Sequence, residues 1–151
     1  MVASAYAKVY RTNSVLTATP GQLVLMLFDG ALASLAVAKE GFNRPATDFR
    51  RYAVINRAIW KAQRIISELR GTLNFEAGGD FAPLMHRLYD YYSRRLQEAN
   101  LQKRVEPIIE VEGLMNQLRD AWSEMLRRPE SARSAVPPPP PARATDPLPA
   151  P

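Results

Sequence analysis

The chain contains no cysteine, which excludes a disulfide framework and a thiolate metal site. It has a single histidine, His86, and without a second one the usual zinc ligand sets cannot be assembled. No long apolar run is present. The longest extends from Leu23 to Phe28, far short of the roughly 20 residues that a membrane span requires. The opening stretch "MVASAYAKVYRTNS" lacks the apolar core of a signal peptide, so the expected location is the cytoplasm, with no insertion into a membrane. Phosphate-cradling "GxxxxGK[ST]" and "GxGxxG" patterns are missing. So is the Glu-x-x-His motif through which helical bundles hold di-iron sites. Glu110 and Glu112 are two residues apart and point to different sides of a helix, so they cannot share a metal. The serines have no histidine and acid set in a recognisable arrangement. No enzyme, metal or cofactor is expected.

One-sided charge is also lacking. Twenty Lys+Arg against 15 Asp+Glu leave +5, but the arginines are scattered rather than gathered into a phosphate-tracking stripe. Nucleic acid is therefore not an expected partner. Glycine is sparse, and there is no strand-like alternation to compete with helix.

What is present is helical periodicity in four blocks. The first opens at Thr19-Pro20-Gly21-Gln22, where Thr19 caps the free amides, Pro20 suits the first helical position and Gln22 completes a capping box. It ends near Gly41, Asn43 and Pro45. This block is apolar nearly all round. One row runs Val24, Phe28, Ala31, Leu35, Ala38, Phe42, and a second runs Leu23, Met26, Leu27, Gly30. A bundle helix needs three to four apolar positions per two turns, so this one must be covered on more than one side.

The second block spans about Ala46 to Leu73. Its apolar residues Ile55, Ile59, Ala62, Ile66, Leu69 and Leu73 recur at spacings of 4, 3, 4, 3 and 4, a bundle-type stripe. Arg57, Lys61, Arg64 and Glu68 fall off that stripe and read as a solvated flank. Gly78-Gly79 is a turn, and Asp80 is placed to cap the third block, Phe81 to about Leu101. The fourth starts at Pro107, carries Ile108, Val111, Met115, Leu118, Trp122 and Met125, and stops before Pro129. Long helices with short connections predict an all-α, antiparallel up-down four-helix bundle over residues 16–128.

Both ends differ from this core. Residues 1–15 hold Tyr6, Val9 and Tyr10 but are too short for a stable helix alone, and they read as a mobile N-terminal cap segment. Residues 129–151 form a proline-dense, apolar-poor tail, expected to be disordered and locally polyproline II from Pro137. Within the bundle, two polar features stand out. Asp29 interrupts an apolar run and reads as a buried carboxylate that needs a basic group or backbone donors. "LYDYYSRRL" sets Tyr89, Tyr91 and Tyr92 beside Arg94 and Arg95. These are either core and rim residues or a binding surface, since Tyr and Arg are enriched at interaction hot spots.

Four segments carry a resemblance to a known family. "VLTATPGQLVLMLFDGAL", "KAQRIISELRGTLNFEAGG", "LYDYYSRRLQEANL" and "VEGLMNQLRDAW" match, in order and spacing, the flagellin-specific secretion chaperones of the FliS family over about residues 6 to 126. The proline-rich tail falls outside the shared pattern. The resemblance implies a cytoplasmic bundle that binds the disordered C-terminal segment of flagellin, prevents its premature polymerisation and delivers it to a component of the flagellar type III export gate, without nucleotide hydrolysis. It also places Tyr6 and Tyr10 in a cap over the client surface, and Ile55, Ile59, Ile66, Tyr89, Tyr92 and Arg95 in the groove or on its rim. The isoleucines keep a second reading as ordinary core. A homodimer in the client-free state stays open, as does a different class altogether: a helical adaptor for structured partners.

Overall fold

The computed structural model describes residues 17–128. Among them are four long helices and no strand: α1 Pro20–Asn43, α2 Arg51–Gly71, α3 Phe81–Gln102 and α4 Glu106–Leu126, with a short 3-10 turn, Phe75–Ala77, between α2 and α3. The expected cap segment 1–15 and tail 129–151 lie outside the described residues.

Local chemistry fixes most of the boundaries. At the start of α1 the capping box forms in both directions: Gln22 N donates to Thr19 Oγ1 (3.2 Å) and Thr19 N donates to Gln22 Oε1 (3.0 Å). Helix α2 begins at Arg51 rather than near Ala46, because the preceding residues are organised around Asp48. Its carboxylate accepts from Arg50 N (2.9 Å) and Arg44 Nη1 (2.9 Å). These donors, the Arg50 amide first, hold its pKa below the ordinary value. Arg51 then closes the end of α1 by donating to the carbonyls of Arg44 and Phe42. The expected cap at Asp80 does not form. Asp80 is already in the right-handed helical region and its side chain makes no capping bond, whereas an N-cap side chain reaches its amides from extended backbone. Gly78 and Gly79 both have positive φ, 81° and 79°, the left-handed conformation that glycine adopts without a Cβ penalty.

The helices run antiparallel around a square, with α1 against α2 and α4, and α3 against α2 and α4. The cross-contacts give the register. On the α1–α4 seam, Trp122 Nε1 donates to Gly21 O (2.8 Å), Arg119 pairs with Asp29 (2.7 Å), and Lys39 pairs with Glu112 (2.6 Å). Asp29 thus has its basic partner but is half exposed rather than buried. Between α2 and α3, Gln63 donates to Ser93 O and Lys103 Nζ to Asn56 Oδ1. Glu110 of α4 meets α3, so Glu110 and Glu112 serve opposite seams.

The core follows the apolar stripes. Phe28, Ala31, Leu35 and Ala38 of α1 meet Ile55, Ile59, Ile66 and Leu69 of α2, together with Leu96 of α3 and Val111 and Met115 of α4. Helix α1 is the one described helix long and apolar enough to cross a membrane. Its first apolar row lies in the shared core, and Asp29 and Lys39 are ion-paired to α4.

Candidate functional site

Of the second apolar row of α1, Leu27 packs against the core, while Met26 and Gly30 continue into Ala33 and Val37 as a line that the bundle leaves open. Met26 and Gly30 are only half buried, Ala33 is exposed, and Val37 is 51 % exposed. Their spacing, 26, 30, 33, 37, keeps them on one line of the helix. Val54 and Ala58 of α2 face this line across a groove of about 550 Å³, with Ser34 in its floor. Small residues bring the two helices together here. A Cβ on Gly41 would lie 2.8 Å from Ile55 Cγ1, and one on Gly30 would lie 3.4 Å from Ile65 Cδ1. The α1–α2 contact is therefore tight, and the groove above it is shallow and apolar.

The rim has one sign. Arg44, Arg57 and Lys61 line the groove, and none of its lining residues is acidic. Next to it, Arg64 stacks over Trp60, 4.9 Å from the ring centroid, with Trp60 itself 59 % exposed. Arg44 is paired with Asp48. None of the ion pairs among the described residues involves Arg57, Lys61 or Arg64.

A second cavity, of about 250 Å³, opens at the end of the bundle where α1 and α3 begin and α2 and α4 finish. Val24, Phe28, Leu73, Phe81, Met85 and Trp122 contribute to its apolar wall.

The tyrosine–arginine cluster of α3 is an internal strut. Tyr91 Oη donates to one oxygen of Glu110, and Arg95 Nε donates to the other (2.7 Å) while its Nη1 holds Glu98 (2.7 Å). The Tyr91 hydroxyl and then the Arg95 guanidinium hold the Glu110 carboxyl below its ordinary pKa. The same carboxylates, Glu110 first, raise that of Arg95. Tyr89 and Tyr92 are buried and meet edge to face at 6.4 Å. Burial pushes both phenols well above the usual tyrosine value.

The site residues expected from sequence are accordingly scattered. Ile55, Ile59 and Ile66 have no exposed surface, and Tyr89 and Tyr92 are within 3 % of that state. Ile55, Ile59, Ile66 and Tyr92 line neither of these cavities and occupy the core reading, whereas Tyr89, although buried, contributes to the wall of the second cavity. Arg95 is half-buried on the α3–α4 seam. Tyr6 and Tyr10 lie outside the described residues. The open groove instead presents Ala33, Val37, Val54, Ala58, Arg57 and Lys61. The sequence carried a signal for it: the second row of α1 continues at i+3 and i+4 beyond Gly30. Arg57 and Lys61 read as plain solvated flank because nothing in their spacing shows that an apolar trough lies beside them. Among the described residues, no group of three or more His, Asp or Glu could hold a metal ion.

The family described as "Flagellar protein FliS" matches residues 2–129. A "Flagellar secretion chaperone FliS" of Bacillus subtilis is 39% identical over 118 residues, covering 78% of this chain and 84% of the relative. Proteins of the same description from Salmonella typhimurium and Escherichia coli are 38% identical over 122 residues and 35% over 132. They cover 80% and 87% of this chain, and 87% and 94% of their own lengths.

Proposed function

This chain belongs to the FliS family of flagellar secretion chaperones, and from that premise we propose that its client is the disordered C-terminal segment of flagellin. It is not an enzyme. Its task is to hold that segment in the cytoplasm, prevent it from polymerising, and hand it to a component of the flagellar export gate.

The observation that carries this reading is the open apolar row on α1, with Val37 half exposed over the α1–α2 groove. A disordered client loses conformational entropy when it orders, and burial in a long apolar groove offsets that loss. A helical client segment presents apolar residues at i, i+3, i+4 and i+7, the spacing that such a groove accepts. Tyr6 and Tyr10 are proposed to cap part of the client surface in the free protein and to yield it on binding. Ile55, Ile59, Ile66, Tyr89, Tyr92 and Arg95 act beneath that surface by fixing the helices that frame it. With the client absent, the exposed apolar surface also suits a homodimer. Residues 129–151 are a separate tail, and 130–151 fall beyond the family match.

Calorimetry with the C-terminal segment of flagellin from the same organism tests the proposal. Tight 1:1 binding with a gain in helicity is expected; no binding at micromolar concentration would overturn it.

A further inference from the structure

We infer that the α1–α2 groove selects an amphipathic helix whose flanks are acidic, and that the client contributes this helix; the second part rests on the chaperone reading above. The groove has an apolar floor, a rim of Arg57 and Lys61, and no acidic lining residue. Neither of those two cations has an ion-pair partner among the described residues.

Their placement gives the register. Arg57, Lys61 and Arg64 stand at i, i+4 and i+7 on α2, so they form a cationic edge that runs along the groove and into its Trp60 neighbour, where Glu68, one turn beyond Arg64, ends it. The opposite edge is the apolar line Gly30, Ala33, Val37 on α1. Seven residues of α1 extend about 10 Å, which matches roughly two turns of a docked helix. Such a helix lays small apolar residues on the floor and turns one flank towards α2. Glutamate or aspartate on that flank meets the unpaired cations, whereas lysine there meets like charge, which complementary interfaces avoid. Small residues, Ala58 on the floor and Gly30 and Ala33 on the α1 edge, let the docked backbone come close.

Each exposed ion pair contributes little, but two or three in register discriminate about tenfold, and replacing attraction by repulsion widens the gap. The probe is a pair of synthetic amphipathic helices with an identical Ala/Val/Leu face, one with glutamate flanks and one with lysine flanks. Each is about 18 residues long, because shorter isolated helices are marginal in water. The glutamate helix should bind at least about tenfold more tightly than the lysine helix, and the preference should fade at high salt. Arg57→Glu/Lys61→Glu should invert the preference. Arg87→Glu/Arg94→Glu changes net charge equally on α3, away from the groove, and should leave it in place. All four arginine and lysine positions are exposed, and thermal melts verify that both variants fold. Equal binding of the two helices, no binding of the glutamate helix, or equal loss in both charge variants overturns the inference.

The flagellin segment separates this from the broader reading. If it binds wild type and the Arg57→Glu/Lys61→Glu variant equally, the chaperone reading stands and the groove is not the client's. If it binds neither while the glutamate helix binds, the groove chemistry stands and the client assignment falls.

Discussion

Ile59 has no exposed surface, and replacing it by alanine should lower stability by about 2–5 kcal/mol through lost burial and the cavity left behind. A groove residue behaves differently. Val37→Ala removes side-chain surface that is already half in solvent, so its melting temperature should barely move while affinity for the client segment falls. Measuring melting temperature and affinity for both variants distinguishes the roles, and a large affinity loss without destabilisation in Ile59→Ala would return that isoleucine to the groove. Sequence alone could not make the distinction, because a 4-3-4-3-4 stripe looks the same whether its cover is another helix or a client. Arg57 is the complementary case. Its exposure was legible as an off-stripe charge, but its neighbour across the groove was not.

At the scale of the element, α1 shows how two apolar rows on one helix divide their work. The row through Phe28, Ala31, Leu35 and Ala38 is buried, and the line through Gly30, Ala33 and Val37 frames the groove. Close packing at the α1–α2 crossing depends on Gly41, where an added methyl would meet Ile55 and Val54 at 2.8 and 3.2 Å. Gly41→Ala should therefore destabilise, since overpacking costs about 1–3 kcal/mol and outweighs the roughly 1 kcal/mol gained in helix propensity. Gly113, inside α4 with nothing within 4 Å of the added carbon, should show the opposite sign. There Gly113→Ala gains up to about 1 kcal/mol. Urea unfolding of the two variants checks the pair, and equal shifts would show that propensity alone governs both. Helix existence, the Thr19 capping box and the Gly78-Gly79 turn were legible because they rest on neighbours in sequence. The late start of α2 was not, since it depends on the Asp48 carboxylate gathering donors from Arg44 and Arg50.

For the whole molecule, the buried phenols of Tyr89 and Tyr92 set an alkaline limit. Burial raises their folded-state pKa values above the ordinary value. A group with a raised folded pKa contributes stability that is fully present below its unfolded value, about pH 10 for tyrosine, and is lost as pH rises through the folded value. The urea midpoint should hold up to about pH 10 and then fall. Tyr92→Phe, which removes one ionisable phenol from the core, should make the fall shallower; an identical slope in both proteins would contradict the assignment.

The sequence by itself determined the class of fold, the four helices, their antiparallel order and the family, because periodicity, caps and short connections act between residues close along the chain. It also located an excess of apolar surface on the first helix. Only the tertiary structure decided which apolar row is core and which is open. Helix rotation is set by all the neighbours at once, through the close approach at Gly41, the seam pairs Asp29–Arg119 and Lys39–Glu112, and the Tyr91–Glu110–Arg95 strut. The same packing turned Arg57 and Lys61, ordinary surface charges in the sequence, into the edge of a groove.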